Sequence, residues 1–385
     1  MRVTHLSLTD FRNYGTAEVH FEAGANLFVG RNGQGKTNLV ESLGYLSALG
    51  SHRVSSDQAM IRQGAELAVV RARIQHEARE LLVEVQLNRG AANRAQVNRA
   101  AIKPRELPRY FSSVLFAPED LALVRGEPGV RRRFLDQLLI QRNPRLSAVI
   151  AEYERVLKQR NTLLKSARAS RFREDQLGTL DIWDDRLLTL GAELINARLD
   201  LMARLSNPLV AAYRSVAGDD HHPRLLPQLT ISGAHVEDED DDSVADMTSA
   251  FGDTTDVFRQ ALAGVRWKEL ERGLTLVGPH RDDVLFELNG LPAKGYASHG
   301  ESWSFALALK LASAELLRRE SVTGDPVLIL DDVFAELDWA RRRMLATTVA
   351  GYEQVLITAA VYEDVPAELA AHTIRIEAGA IVEPS

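Results

Sequence analysis

Cysteine is absent from all 385 residues. Neither disulfides nor thiolate metal sites are therefore open to this chain, which fits a reducing compartment. No apolar run approaches the roughly 18 residues that a membrane-spanning helix needs. Arg2, Asp10, Arg12 and Glu18 interrupt the start of the chain, so no signal-peptide core lies there. The expectation is a soluble cytoplasmic protein with no membrane partner. The ten histidines show no H-x-x-x-H or other metal spacing. "GESWS" at 300–304 is not the G-x-S-x-G of a hydrolase elbow. No repeats stand out.

What is present is enough apolar material, 45% of residues, for real cores in two or three domains. The net charge of −7 at first speaks against a nucleic-acid partner, but its distribution speaks for one. Residues 237–242 are six consecutive acids, whereas 71–173 hold 22 Lys and Arg against 10 Asp and Glu, a local net of +12. That segment reads either as a field that attracts phosphates or as a solvated Arg-rich surface.

Apolar periodicity predicts two strands within 1–22, a buried strand over Leu27–Val29 and a helix over Asn38–Ala48 with Leu39, Leu43 and Leu46 on one face. Strand-like runs at 66–74 and 79–88 predict a hairpin. Past residue 120 the pattern turns helical. Val130, Phe134, Leu135, Leu138 and Leu139 form one run, stopped by "NP" at 143–144. Leu146, Val149, Tyr153, Val156, Arg160 and Leu163 form a second, and Trp183, Leu187, Leu190 and Ile195 a third. Residues 236–254 are acidic and then Ser-, Asp- and Thr-rich, which predicts a disordered loop. Strand signals return at 283–288 before an Asn289–Gly290 turn. A helix at about 301–319, "VLIL", a helix near 340–350 and a strand at 354–358 follow.

Three motifs carry chemistry. Gly30-Arg-Asn-Gly-Gln-Gly-Lys36-Thr37 fits G-x-x-x-x-G-K-[ST] and lies between a strand and a helix. Glycines let backbone N–H groups turn toward an anion, and the helix start adds unpaired donors and a positive dipole end. Lys36 reaches β- and γ-phosphates and the Thr37 hydroxyl binds Mg²⁺. In "VLILDDVFAELD", an apolar strand delivers Asp331 to hold Mg²⁺ and Asp332 to orient or deprotonate water. "SHGES" places Ser298 and Gly300 at a helix start, Ser298 lying 33 residues ahead of Asp331. It reads as a second anion cradle, or as an ordinary N-cap with Glu301 in the first turn. In "GPHRDD" at 278–283, His280 reads as a satisfied turn histidine or as a reporter of nucleotide or DNA state.

In this order, and split by a helical insertion, the motifs resemble the head domains of ABC and SMC ATPases. "MRVTHLSLTDFRNY", "VGRNGQGKTNLVESL", "FAPEDLALVRGEP", "GPHRDD" and "LILDDVFAELD" narrow the resemblance to the RecF family over nearly the whole chain. It implies an α/β fold: an ABC/SMC-type P-loop ATPase head with an antiparallel β subdomain and an inserted α-helical domain. The head is expected at 1–115 and 270–385, and the insertion at 116–269. It implies ATP and Mg²⁺ as cofactors, with Gly30, Arg31, Asn32, Gly33, Gln34, Gly35, Lys36, Thr37 and Asn38 around the nucleotide. Lys36, Asp332, Ser298 and Gly300 are the expected catalytic set, and Ser298, Gly300 and Asp338 are expected to act across an ATP-dependent homodimer.

The implied activity is a weak, DNA-stimulated ATPase. The implied partners are single-stranded, double-stranded and gapped DNA together with RecO and RecR, which help RecA to load. Arg131, Arg132 and Arg133 are the residues expected to contact DNA. The chain departs from the family in having Glu301-Ser302-Trp303 where Gln-Gln-Arg is usual, and Thr358 where many ABC ATPases have a histidine. Two competing readings are an ATP-binding subunit of a membrane transporter, which shares all three motifs, and a small-molecule kinase, which would use the P-loop alone.

Overall fold

The computed structural model describes residues 1–169, 177–218, 221–233, 253–370, 372–377 and 379–382. The chain begins with β1 (Arg2–Phe11), β2 (Tyr14–His20) and β3 (Gly24–Val29), and then enters α1 (Lys36–Ala48). Strands β4 (Leu67–His76), β5 (Arg79–Asn88), β6 (Arg94–Val97), β7 (Ala100–Ile102) and β8 (Ser113–Phe116) follow. The hairpin expected near 66–88 is β4–β5, with Leu67 opposite Asn88 and His76 opposite Arg79. It is the centre of a six-stranded antiparallel sheet in the order β2-β1-β4-β5-β6-β7.

Helices α2 (Leu121–Arg125), α3 (Pro128–Arg142), α4 (Leu146–Ala169) and α5 (Leu177–Ala217) come next, then β9 (Arg224–Gln228) and α6 (Thr254–Arg272). Strands β10 (Asp283–Leu288) and β11 (Leu291–Pro292) turn through Asn289 and Gly290, both at positive φ. That is the backbone such a two-residue hairpin requires. β10 also pairs with β9. The chain closes with α7 (Ala293–Tyr296), α8 (His299–Glu320), β12 (Val327–Asp331), α9 (Trp339–Val349), β13 (Gln354–Ala359), β14 (His372–Glu377) and β15 (Ala380–Val382). The acidic run 237–242 lies outside the described residues, as does most of the loop expected at 236–254.

The chain divides into two compact units, the first being Met1–Val124, Asn207–His221 and Ser298–Ser385. Its second sheet has the order β15-β14-β3-β13-β12-β8 and is parallel from β14 to β8. A parallel sheet covered on both faces should have strands that are apolar throughout, and Val327–Asp331 and Gln354–Ala359 are buried at every position. α1 is not the one-faced helix expected: ten of its thirteen residues are buried. It touches β8, β12, β13 and the turn at Pro104–Arg109, which leaves little of it for solvent.

The second unit is Arg125–Ser206 and His222–Ala297. Its core joins Tyr153 and Val156 of α4, Leu187, Leu188 and Ile195 of α5, and Phe258 and Leu262 of α6. Leu164 rather than Leu163 is the fully buried leucine of α4. Arg160, counted with the apolar positions, is indeed fully buried. It survives there by pairing with Asp184 (2.6 Å), Glu269 (2.6 Å) and the Thr275 hydroxyl (2.8 Å). A buried guanidinium requires such saturation of its donors.

Candidate nucleotide site

The site begins where β3 stops. Gly33 and Gly35 both take positive φ, +80° and +112°, a conformation open to glycine at no steric cost. Packing also demands two of the glycines: a Cβ on Gly30 would lie 2.2 Å from the Ile376 carbonyl, and one on Gly35 2.7 Å from the Tyr14 hydroxyl. Gly35 is the N-cap of α1, so no side chain caps that helix, and its first turn contains no acidic residue. The free N–H groups and positive dipole end are left for an anion from outside.

Lys36 is 5% exposed and donates to the carbonyls of Gly30 (2.6 Å) and Arg31 (3.2 Å). Burial lowers its pKa, while Asp332 and Asp331 pull the other way. Thr37, at the same helix start, donates to Asp331 Oδ1 at 3.0 Å across 294 residues of sequence. Asn38 donates to Asn13 at 2.8 Å, and Arg31, Asn32 and Gly33 are exposed on the rim.

Between the P-loop strand β3 and the carboxylate strand β12 runs β13. Its Thr358 stands opposite Asp331 on one side and Phe28 on the other. The Thr358 hydroxyl donates to Asp331 Oδ1 (2.6 Å) and accepts from the Asp332 N–H (2.9 Å). The sequence marks Thr358 only by the histidine it replaces; its cross-strand register to Asp331 is the signal that was missing. Asp332 sits at φ +56°, and its buried Oδ1 has no hydrogen-bond partner among the described residues. Burial raises its pKa, with Lys36 opposing.

These residues fit ATP and Mg²⁺. The loop is a cradle of backbone donors, and a hydroxyl and a carboxylate lie together beside it. Among the described residues no cluster of three or more His, Asp or Glu is arranged to hold a metal. A cation here would need phosphate oxygens to complete its shell, which is how Mg²⁺ is usually bound.

The other expected residues form a separate group. Ser298 is the N-cap of α8 in a capping box: its Oγ accepts from the Glu301 N–H (3.3 Å) and Glu301 accepts from the Ser298 N–H (2.8 Å). Asp338 caps α9 and binds Arg341 through both the N–H and the guanidinium, each at 2.9 Å. That guanidinium lies against Gly300, where an added Cβ would be 3.3 Å away. Beside β8, Lys310 of α8 donates to the Leu115 carbonyl and pairs with Asp120, both at 2.8 Å. The "FAPED" stretch is thereby tied to the helix that starts at Ser298.

Arg131 is a correction. Expected on a DNA-facing surface, it is only 5% exposed, with two 2.7 Å bonds to Asp283. Its charge is spent inside the fold. Arg132 is half-buried and donates to the Asp282 carbonyl, and only Arg133 is exposed. In "GPHRDD", His280 Nδ1 meets the Tyr153 hydroxyl at 2.7 Å and Nε2 meets the Thr275 carbonyl at 3.3 Å. A carbonyl only accepts, so Nε2 carries the proton and Nδ1 accepts from Tyr153. The satisfied turn histidine is the reading this geometry supports.

Residues 2–378 match the family model described as the RecF/RecN/SMC N terminal domain. A Clavibacter michiganensis protein named DNA replication and repair protein RecF is 67% identical over the whole chain and 96% of its own length. One of the same name from Streptomyces avermitilis is 52% identical over 99% of each. The fold matches a structure titled recombination mediator protein RecF-ATP in the RecFOR pathway, with TM-score 0.87, 26% identity, and 100% and 97% of the two chains covered. It also matches an Smc head domain from Pyrococcus yayanosii at TM-score 0.53 and 14% identity, over 100% and 97% of the chains, which speaks to fold alone. No described helix is long and apolar enough to cross a membrane. The chain belongs to the RecF family of SMC-type P-loop ATPases.

Proposed function

We propose that this chain is an ATP-dependent DNA-binding protein of replication and recombinational repair. ATP drives two copies together on DNA at single-strand gaps, the dimer assists RecA loading with RecO and RecR, and slow, DNA-stimulated hydrolysis releases it. One observation carries the nucleotide part: an uncapped helix start on a glycine loop, with Thr37 and Asp331 brought together from opposite ends of the sequence. The names of the relatives support the repair assignment over the transporter reading.

In this reading Lys36 leaves the carbonyls of Gly30 and Arg31 for the β- and γ-phosphates. Thr37 and Asp331 hold Mg²⁺, which when bound neutralises charge that develops on the phosphates. Asp332, with one oxygen unpartnered and a raised pKa, orients the attacking water or takes its proton. Ser298 and Gly300 approach the nucleotide of the other subunit, and Asp338 faces that subunit.

The test is ATP hydrolysis by the parent and by Lys36→Ala, without DNA and with single-stranded, double-stranded and gapped DNA. Stimulation by DNA in the parent and loss of at least tenfold of the rate in the variant are expected. A rate indifferent to both DNA and Lys36 would refute the assignment.

A further inference from the structure

Among the described residues, one buried side-chain atom without a hydrogen-bond partner is His52 Nε2. His52 lies in no nucleotide motif. It follows α1, whose cap Leu49 turns the chain at φ +54°. The loop after that turn is fastened on both sides of His52. The Ser51 hydroxyl donates to Glu41 of α1 and accepts from the N–H groups of Arg53 (2.9 Å) and Val54 (3.2 Å). Arg53 donates to Asn38 of α1 at 2.8 Å. Glu41 is itself 1% exposed and gripped by Arg12 at 2.6 and 2.8 Å. The loop is thus braced against the helix that starts at the P-loop, and the His52 side chain is left 15% exposed.

Its Nε2 stands 3.8 Å from Asp331 Oδ2. Oδ1 of the same carboxylate already accepts from Thr37 and Thr358. Oδ2 is therefore the oxygen toward which His52 is directed. The separation is beyond a direct hydrogen bond but suits a bridging water or a small ring rotation. Carboxylates that serve cations are commonly oriented by such outer partners.

We propose that His52 is a positioning residue of the nucleotide site, which sets the Oδ2 edge of Asp331 for the Mg²⁺ that accompanies ATP. The proposal rests on the nucleotide reading above. It reaches the site from a loop that the three motifs do not include.

The experiment titrates Mg²⁺ against binding of a fluorescent ATP analogue to the full chain, and repeats the binding in EDTA. His52→Ala should raise the Mg²⁺ midpoint about tenfold and leave affinity in EDTA within about twofold. His52→Gln, which keeps a donor, should return to within about threefold of the parent. If His52→Ala fails to fold, His52→Met, of similar length without a donor, serves the comparison. A midpoint unchanged in the donor-less variant, or an equal loss with and without Mg²⁺, overturns the proposal. If the parent binds no analogue at all, the nucleotide reading falls and this inference with it. Normal Mg²⁺-dependent binding by both parent and variant removes the inference alone.

Discussion

Burial acts in opposite directions on two neighbours in "GPHRDD". Desolvation first, and then the nearby Arg281, Arg132 and Arg160, push His280 down to about 3. Desolvation raises Asp282 to about 6, against its bonds from Thr230 and the charges of Arg198 and Arg132. His280, lowered in the folded state, contributes stability that is complete above about 6.5 and is lost as pH falls toward 3. Asp282, raised in the folded state, contributes stability that is complete below about 4 and is lost as pH rises through 6. Between pH 4 and 6 the two slopes nearly cancel in the parent. His280→Gln should then become less stable as pH rises across this window, and Asp282→Asn more stable. Each slope should be on the order of 1 kcal/mol per pH unit, read from urea unfolding at pH 4.5, 5.2 and 6.0. Parallel curves for the two variants would contradict the opposed burial effects.

Elements here are held by charges that look superficial in the sequence. Arg131 and Asp283 join α3 to β10 with side chains 6% and 9% exposed. Removing one partner strands the other in a dry environment. Arg131→Ala should cost about 3–5 kcal/mol in urea unfolding, whereas Arg133→Glu, on the exposed side of the same turn, should stay within about 0.5 kcal/mol. The double variant Arg131→Met, Asp283→Leu should recover most of the loss, because an apolar pair of similar volume needs no compensation. Equal effects at 131 and 133 would mean that the pair is not the support described. "NP" at 143–144 ends α3, as its pattern predicts, but "NP" at 207–208 sits inside the 41-residue α5. Leu205, Leu209 and Tyr213 around it are fully buried, and their packing outweighs the roughly 3 kcal/mol that an interior proline costs.

The whole molecule is proposed to work as a dimer. The proposed dimer makes Ser298 serve twice, as the cap of α8 and as a contact for the other subunit's nucleotide. Ser298→Ala removes the hydroxyl that serves both, so it should cost about 1 kcal/mol and weaken ATP-dependent dimerisation. Ser298→Arg should bind ATP through its intact P-loop yet remain monomeric in sedimentation and turn over no ATP. Asp332→Asn should do the reverse and accumulate as an ATP-bound dimer on DNA. A Ser298→Arg protein that dimerises and hydrolyses ATP like the parent would show that the site is complete within one subunit.

What the sequence settled by itself was everything local. A loop with glycines at fixed offsets, an apolar run ahead of two aspartates, and a two-residue Asn-Gly turn each specify their own backbone, so P-loop, β12 and the β10–β11 hairpin were legible. Whether a charge faces solvent is not local. Arg131 and Arg160 read as surface or stripe residues until strands and helices far away in sequence brought Asp283 and Glu269 against them. Thr358 and His52 likewise acquire meaning only because β13 lies between β3 and β12, and because the loop after α1 is braced on that helix. Spacing encodes geometry along one element. Register between elements is set by the packing of the whole core, and it was that packing which placed these groups around Asp331.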